Sequence, residues 1–146
     1  MRTAVLRRIL LAASLCALTG LPVSAEVRIL ASPGGQIGPF LALFAVLRAS
    51  GERIVIDGPC LSACTLVLSA VPRNRICVTR RAVLGFHGAW YRDEYGRAVT
   101  EPMASEVVLR NYPPAVRDWI RRRGGLTSRV LLLRGRELAA LYPSCR

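Results

Sequence analysis

The sequence contains no lysine; all 21 basic residues are arginine. Mechanisms that need a lysine base, a Schiff base or a phosphate-loop lysine are therefore excluded. One histidine, His87, occurs among 146 residues, so a multi-histidine metal site is excluded and any imidazole chemistry depends on one side chain. Acidic residues are also few, nine in all, giving a formal charge of +12. No apolar run reaches the roughly 18 uncharged residues that would mark a second membrane span. Internal repeats and low-complexity tracts are absent. At 52% hydrophobic and 21% charged, the chain is too apolar for disorder, and its length suits one domain with a real core.

Met1 to Arg8 carries three arginines and no acid, 9–21 is apolar, and Val23-Ser24-Ala25 offers small residues to a signal peptidase. This pattern predicts a secretory signal peptide over 1–25, cleaved after Ala25, with 26–146 as a single periplasmic or secreted domain. Cleavage removes three arginines and no acid, so the charge falls from +12 to +9. For an exported protein that charge points away from nucleic acid. It suits a solvated basic surface, or an anionic surface met through arginine-rich stretches such as Arg121-Arg122-Arg123.

Four cysteines remain in the mature chain, Cys60, Cys64, Cys77 and Cys145, and they allow three pairings. A Cys77–Cys145 bridge is the expected one, because it closes a long loop and restrains much unfolded-chain entropy. Cys60 and Cys64 are too close in sequence to do so. Cys-x-x-x-Cys is neither a zinc-knuckle nor a redox Cys-x-x-Cys spacing, so no metal, cofactor or thiol chemistry is expected.

Hydrophobic patterning predicts a strand at 27–30, a helix over 36–50 with Pro39 in its first turn, and a strand at 53–57 with a continuous apolar centre. Gly58-Pro59 is read as a turn and 61–71 as a short buried helix. Strands follow at 75–79 and 82–86, then an exposed loop or hairpin at 90–100. Helix covers most of 101–123, broken at Pro113-Pro114; Thr127 or Ser128 caps a turn, and a last helix spans 136–141. The alternation of strand and helix argues for an α/β domain with a mainly parallel sheet.

Three strand ends carry candidate chemistry. Ser32-Pro33-Gly34-Gly35 precedes a helix and exposes backbone N–H groups that suit an anion. Ser62, in Gly58-Pro59-Cys60-Leu61-Ser62-Ala63-Cys64-Thr65, falls at a helix start, where the N–H of Ala63 can serve an oxyanion, although a helix N-cap serine looks the same. His87, in Phe86-His87-Gly88, ends a strand as the single available imidazole base.

Ser32-Pro33-Gly34-Gly35, Gly58-x-x-x-Ser62-Ala63 and Leu84-Gly85-Phe86-His87 occur in an order and at a spacing that resemble the proteolytic subunit of the caseinolytic (Clp) protease. They also resemble its exported relatives in the crotonase-like superfamily. The resemblance covers roughly 27–87 and, more faintly, 137–142. It implies stacked strand-strand-helix units, here without the N-terminal strand-and-helix unit usual in the family. It also implies Ser62 as nucleophile, His87 as base, and oxyanion donors at Ala63 and at Gly34 or Gly35. A peptide or small ester would be the substrate, and a homo-oligomer would cover the exposed sheet edge.

The sequence departs from the family at the triad acid, whose position falls on Val130, with Asp93 and Asp118 as remote substitutes. Two functions follow. One is a small serine hydrolase, peptidase or esterase, working through a Ser62–His87 dyad. The other is a non-catalytic module of the same fold that binds a partner. Absence of an acid beside His87 would favour the second, since nothing else is expected to hold the imidazole in its working tautomer.

Overall fold

A computed structural model describes residues 25–145. Residues 1–24 of the expected signal peptide, and Arg146, lie outside the described residues. Among the described residues no helix is long and apolar enough to cross a membrane.

The chain begins with β1 (Glu26–Ile29), α1 (Ile37–Ser50), β2 (Arg53–Ile56) and β3 (Pro59–Leu61). A 3₁₀ stretch over Ser62–Leu66 leads into the single turn α2 (Val67–Ala70), and a second 3₁₀ turn, Arg73–Arg75, enters β4 (Ile76–Val78). Then come β5 (Val83–Phe86), β6 (Trp90–Arg92), β7 (Ala98–Thr100), α3 (Pro102–Asn111), α4 (Pro114–Arg121), β8 (Leu131–Arg134) and α5 (Gly135–Leu141).

Among the described residues the strands form three sheets, not the one mainly parallel sheet expected. The first is parallel, in the order β1-β2-β4, with Ile29 beside Ile56 and Ile56 beside Val78. Its centre is β2, whose Ile54, Val55 and Ile56 are all fully buried, as a continuous apolar run requires. The second sheet, β3-β5-β8, is mixed: β3 and β5 run parallel, β5 and β8 antiparallel. The hairpin β6-β7 stands apart.

Three expected features change. Pro59 does not simply turn the chain. With Cys60 and Leu61 it forms an edge strand on β5, and an edge is where proline's missing N–H is tolerated. The expected helix at 61–71 shrinks to the 3₁₀ stretch and α2. Its first residues are spent on β3, and Val71-Pro72 ends it, because a residue before proline is driven out of the helical region. β8 occupies a segment read only as a capped turn. Leu131 and Leu133 point into the core while Leu132 and Arg134 point out.

Charged groups tie the layers together. Gly51, at φ +79°, ends α1, and the Arg75 guanidinium donates to the carbonyls of Leu47, Arg48 and Glu52 at that end. Asp57, 6% exposed, closes β2 and accepts from Arg28 (3.0 Å), from Arg81 (2.5 and 3.0 Å) and from the Thr79 hydroxyl (2.7 Å). These donors, Arg81 foremost, hold its carboxyl well below the usual carboxylate range. They also pin the turn at 79–82, where the chain passes from the first sheet to the second.

The C-terminus docks beside β4: Val78 donates to the Pro143 carbonyl and Cys145 donates to that of Val78. The sulfurs of Cys77 and Cys145 lie 2.11 Å apart, the expected pairing. Those of Cys60 and Cys64 lie at bonding distance too, 2.03 Å.

Candidate active site

The second sheet aligns the three motifs. Ser62 follows β3 and His87 follows β5, and these strands are neighbouring and parallel, with Leu61 beside Gly85. Parallel neighbours end at one sheet edge, so the two side chains come to the same edge. Ser32 joins on the other side of β3 through a parallel bridge to Cys60, with Ser32 N–H on the Pro59 carbonyl (2.7 Å) and Leu61 N–H on the Ser32 carbonyl (2.9 Å). That bridge carries Gly34 and Gly35 to the Ser62 turn.

Ser62 has φ +55°, the one positive φ at a non-glycine position among the described residues. This left-handed geometry costs on the order of 1–3 kcal/mol and persists only where its surroundings enforce it. Three surroundings do so. The Cys60–Cys64 pair brackets the turn. Gly34, itself at φ +86°, packs against it so closely that a Cβ there would fall 2.4 Å from the Ser62 Cβ and 2.6 Å from the Leu61 carbonyl oxygen. The buried Thr65 hydroxyl donates to the Ser62 carbonyl (2.7 Å).

Thr65 is held in turn by Tyr112 at the end of α3, with the two hydroxyl oxygens 2.5 Å apart. Burial pushes the Tyr112 phenol up to about 12, so it carries its proton at neutral pH. The relay therefore runs from Tyr112 O–H to Thr65, and from Thr65 O–H to the Ser62 carbonyl. Neither residue stood out in the sequence, since a threonine two residues before α2 begins and a tyrosine before two prolines carry no local signature.

His87 is fixed from its own chain. Its Nδ1 lies 2.7 Å from the carbonyl oxygen of Gly88. A carbonyl can only accept, so in the neutral ring Nδ1 bears the hydrogen and Nε2 keeps its lone pair, the tautomer a general base needs. Gly88 is gripped tightly. Its N–H donates to the Thr127 carbonyl (2.7 Å), and the next N–H, of Ala89, donates to the Ser105 hydroxyl (2.8 Å), which donates to the Glu101 carbonyl (2.7 Å). A Cβ on Gly88 would fall 3.1 Å from that hydroxyl oxygen and 3.3 Å from the Thr127 carbonyl.

No carboxylate hydrogen-bonds to His87 among the described residues. Extending the β5-β8 register by one residue sets Val130 across from His87, the position the resemblance gave to the triad acid. Asp93 turns instead into its own hairpin, on Arg97 and the Tyr95 N–H. Asp118 lies on α4 and makes no side-chain hydrogen bond to His87.

Ser62, Ala63, His87, Gly34 and Gly35 all line one cavity of about 780 Å³. No hydrogen bond joins Ser62 Oγ to His87 among the described residues. Ala63 is the second residue of the 3₁₀ stretch, so its N–H has no acceptor within that stretch. The Gly34 N–H leans on Ser32 Oγ at 3.4 Å, a long contact, and Gly35 lines the cavity beside it. A short 3₁₀ stretch carries little macrodipole, so any anion here would rest on individual N–H groups, not on the helix field expected from sequence. Among the described residues no cluster of His, Cys, Asp or Glu could hold a metal ion.

No protein-family model and no curated relative matches this sequence. Among solved structures, a mutant of ClpP1 from Listeria monocytogenes is similar over 92% of this chain and 76% of its own, at 13% identity and a TM-score of 0.45.

Proposed function

We propose that the mature chain is a small exported serine hydrolase of Clp-protease-like design, acting on esters or peptides through Ser62 and His87. The observation that carries this reading is the shared cavity. In it a serine held at positive φ sits with an imidazole whose Nδ1–H is already engaged by the Gly88 carbonyl. Ser62 Oγ would attack the substrate carbonyl carbon while His87 Nε2 takes the hydroxyl proton. The oxyanion would be met by the N–H groups of Ala63 and of Gly35 or Gly34. His87 then returns the proton to the leaving alcohol or amine, and water cleaves the acyl-serine by the same steps.

One observation favours the second reading, a non-catalytic module of the same architecture: no carboxylate partners His87, and a carbonyl stabilises an imidazolium less than an anion does. A fluorophosphonate probe on the purified mature protein separates the two. Labelling that disappears in Ser62→Ala supports the hydrolase. Folded, unlabelled wild-type protein supports the binding module. Export belongs to the same proposal and rests on the sequence of 1–25. N-terminal sequencing of protein recovered outside the cytoplasm should begin at Glu26.

A further inference from the structure

Ile37, Leu66 and Val108 give the cavity an apolar part of its lining. Another part is different. Trp90, Tyr91 and Arg92 of β6 line it, and the two aromatic rings are about half exposed, at 49% and 52%. Among the described residues Arg92 is the one charged residue on the lining, and no acid joins it there. Nor is its charge answered elsewhere: no carboxylate pairs with it among the described residues, because the neighbouring Asp93 is taken by Arg97 (2.8 Å).

The guanidinium is nonetheless held. One amino group, Nη1, donates to the Gly96 carbonyl (2.7 Å), and Cζ lies 5.5 Å from the centre of the Trp90 ring. That leaves donors on Nε and Nη2 in the fixed fork that matches a carboxylate. A cavity of this size, lined in part by apolar side chains and carrying one preorganised cation, suits amphiphiles that end in an anion.

We propose that the cavity takes an apolar acyl ligand bearing a carboxylate, the chain against Ile37, Leu66 and Val108 and the carboxylate on Arg92. As a substrate preference this rests on the hydrolase reading; as a binding preference it does not. Arg92 is then the residue that sets specificity, and the ester or peptide cleaved carries an anionic group away from its scissile bond.

Binding is measured on Ser62→Ala mature protein, so the result does not depend on turnover. The readout is the fluorescence of Trp90, with Trp90→Phe as the check that the signal arises there. Dodecanoate is compared with dodecanol and with dodecyltrimethylammonium, each kept monomeric. A charge-assisted pair predicts dodecanoate binding about tenfold tighter than dodecanol, with the ammonium weakest. Arg92→Gln should remove that preference, while Arg136→Gln, an exposed arginine on α5, should leave it intact.

Equal binding of the three ligands, or a preference that survives Arg92→Gln, overturns the proposal. So does equal loss in Arg136→Gln, which would assign the effect to the overall positive charge. Probe labelling of wild-type Ser62 without carboxylate selectivity would leave the hydrolase standing and remove only this inference. Selectivity without labelling would do the reverse.

Discussion

Gly34 and Ser62 occupy each other's space: a Cβ added to Gly34 would lie 2.4 Å from the Ser62 Cβ. Both residues also have positive φ, at +86° and +55°. The two turns fit only because one of them lacks a side chain. Gly34→Ala combines an unfavourable backbone conformation with a contact against backbone that cannot move away. It should destabilise the fold by about 1–3 kcal/mol in urea denaturation, and it should abolish fluorophosphonate labelling even where the protein remains folded. A Gly34→Ala protein of wild-type stability that still labels would contradict this account of the Ser62 turn.

The Tyr112–Thr65–Ser62 relay predicts an asymmetry between its members. Tyr112→Phe removes a hydroxyl and leaves Thr65 still donating to the Ser62 carbonyl, a loss of about 0.5–1.5 kcal/mol. Thr65→Val strands the buried phenol without an acceptor and also frees the Ser62 carbonyl, a loss of about 1–3 kcal/mol or more. Denaturation of both single variants and the double variant closes a cycle whose coupling should be clearly non-zero. Additive losses would mean that the short hydroxyl contact contributes little. Labelling rates should fall in the same order, Thr65→Val below Tyr112→Phe.

These relays mark the limit of what the chain discloses in one dimension. The strand ends bearing Ser32 and His87, and the break at Gly58-Pro59 ahead of Ser62, were legible because a break in hydrophobic pattern at glycine or proline is a local event. So were the helix over 36–50, the exposed hairpin and the break at Pro113-Pro114. β3 and β8 were not legible. Pro59-Cys60-Leu61 is too short to show a period, and its strand character comes from pairing with Val83–Gly85. Leu131-Leu132-Leu133 alternates in burial but not in residue type. The expected need for an acid beside His87 came from the family pattern, and the Gly88 carbonyl that takes up Nδ1–H is a backbone atom that no residue identity announces. Thr65, Ser105 and Tyr112 acquire their roles only through contacts across 47 residues in one case and 16 in another.

The two cysteine pairs should differ in their contribution. Chain-entropy arguments give about 4 kcal/mol for a loop closed across the 68 positions separating Cys77 and Cys145, and about 2 kcal/mol for the four separating Cys60 and Cys64. Cys77→Ser with Cys145→Ser should therefore lower the urea midpoint more than Cys60→Ser with Cys64→Ser. Labelling should show the opposite order, because the shorter bridge brackets Ser62 and the longer one fastens the tail to β4. Peptide mapping without reductant checks the pairing itself. Free thiols at Cys77 and Cys145 would remove the basis of the first expectation.

Acid should loosen the molecule through Asp57. Its carboxyl is held far below the ordinary value of 3.8 by hydrogen bonds from Arg81, Thr79 and Arg28. A group whose folded pKa is depressed stabilises the fold above its unfolded value and loses that contribution as the pH falls through the folded one. The contribution is thus complete at neutral pH and declines below about 3.8, as the unfolded chain takes up a proton the folded chain resists. The urea midpoint should fall through that window. Arg81→Gln removes the strongest of the three donors but leaves Arg28 and Thr79 to satisfy the carboxylate, so the fold should survive. It should be less stable at neutral pH and show a shallower decline in acid, the two curves converging at low pH. Asp57→Asn should flatten the decline further. A decline as steep in both variants as in the wild type would move the acid sensitivity to other carboxylates and leave the Asp57 cluster a packing feature only.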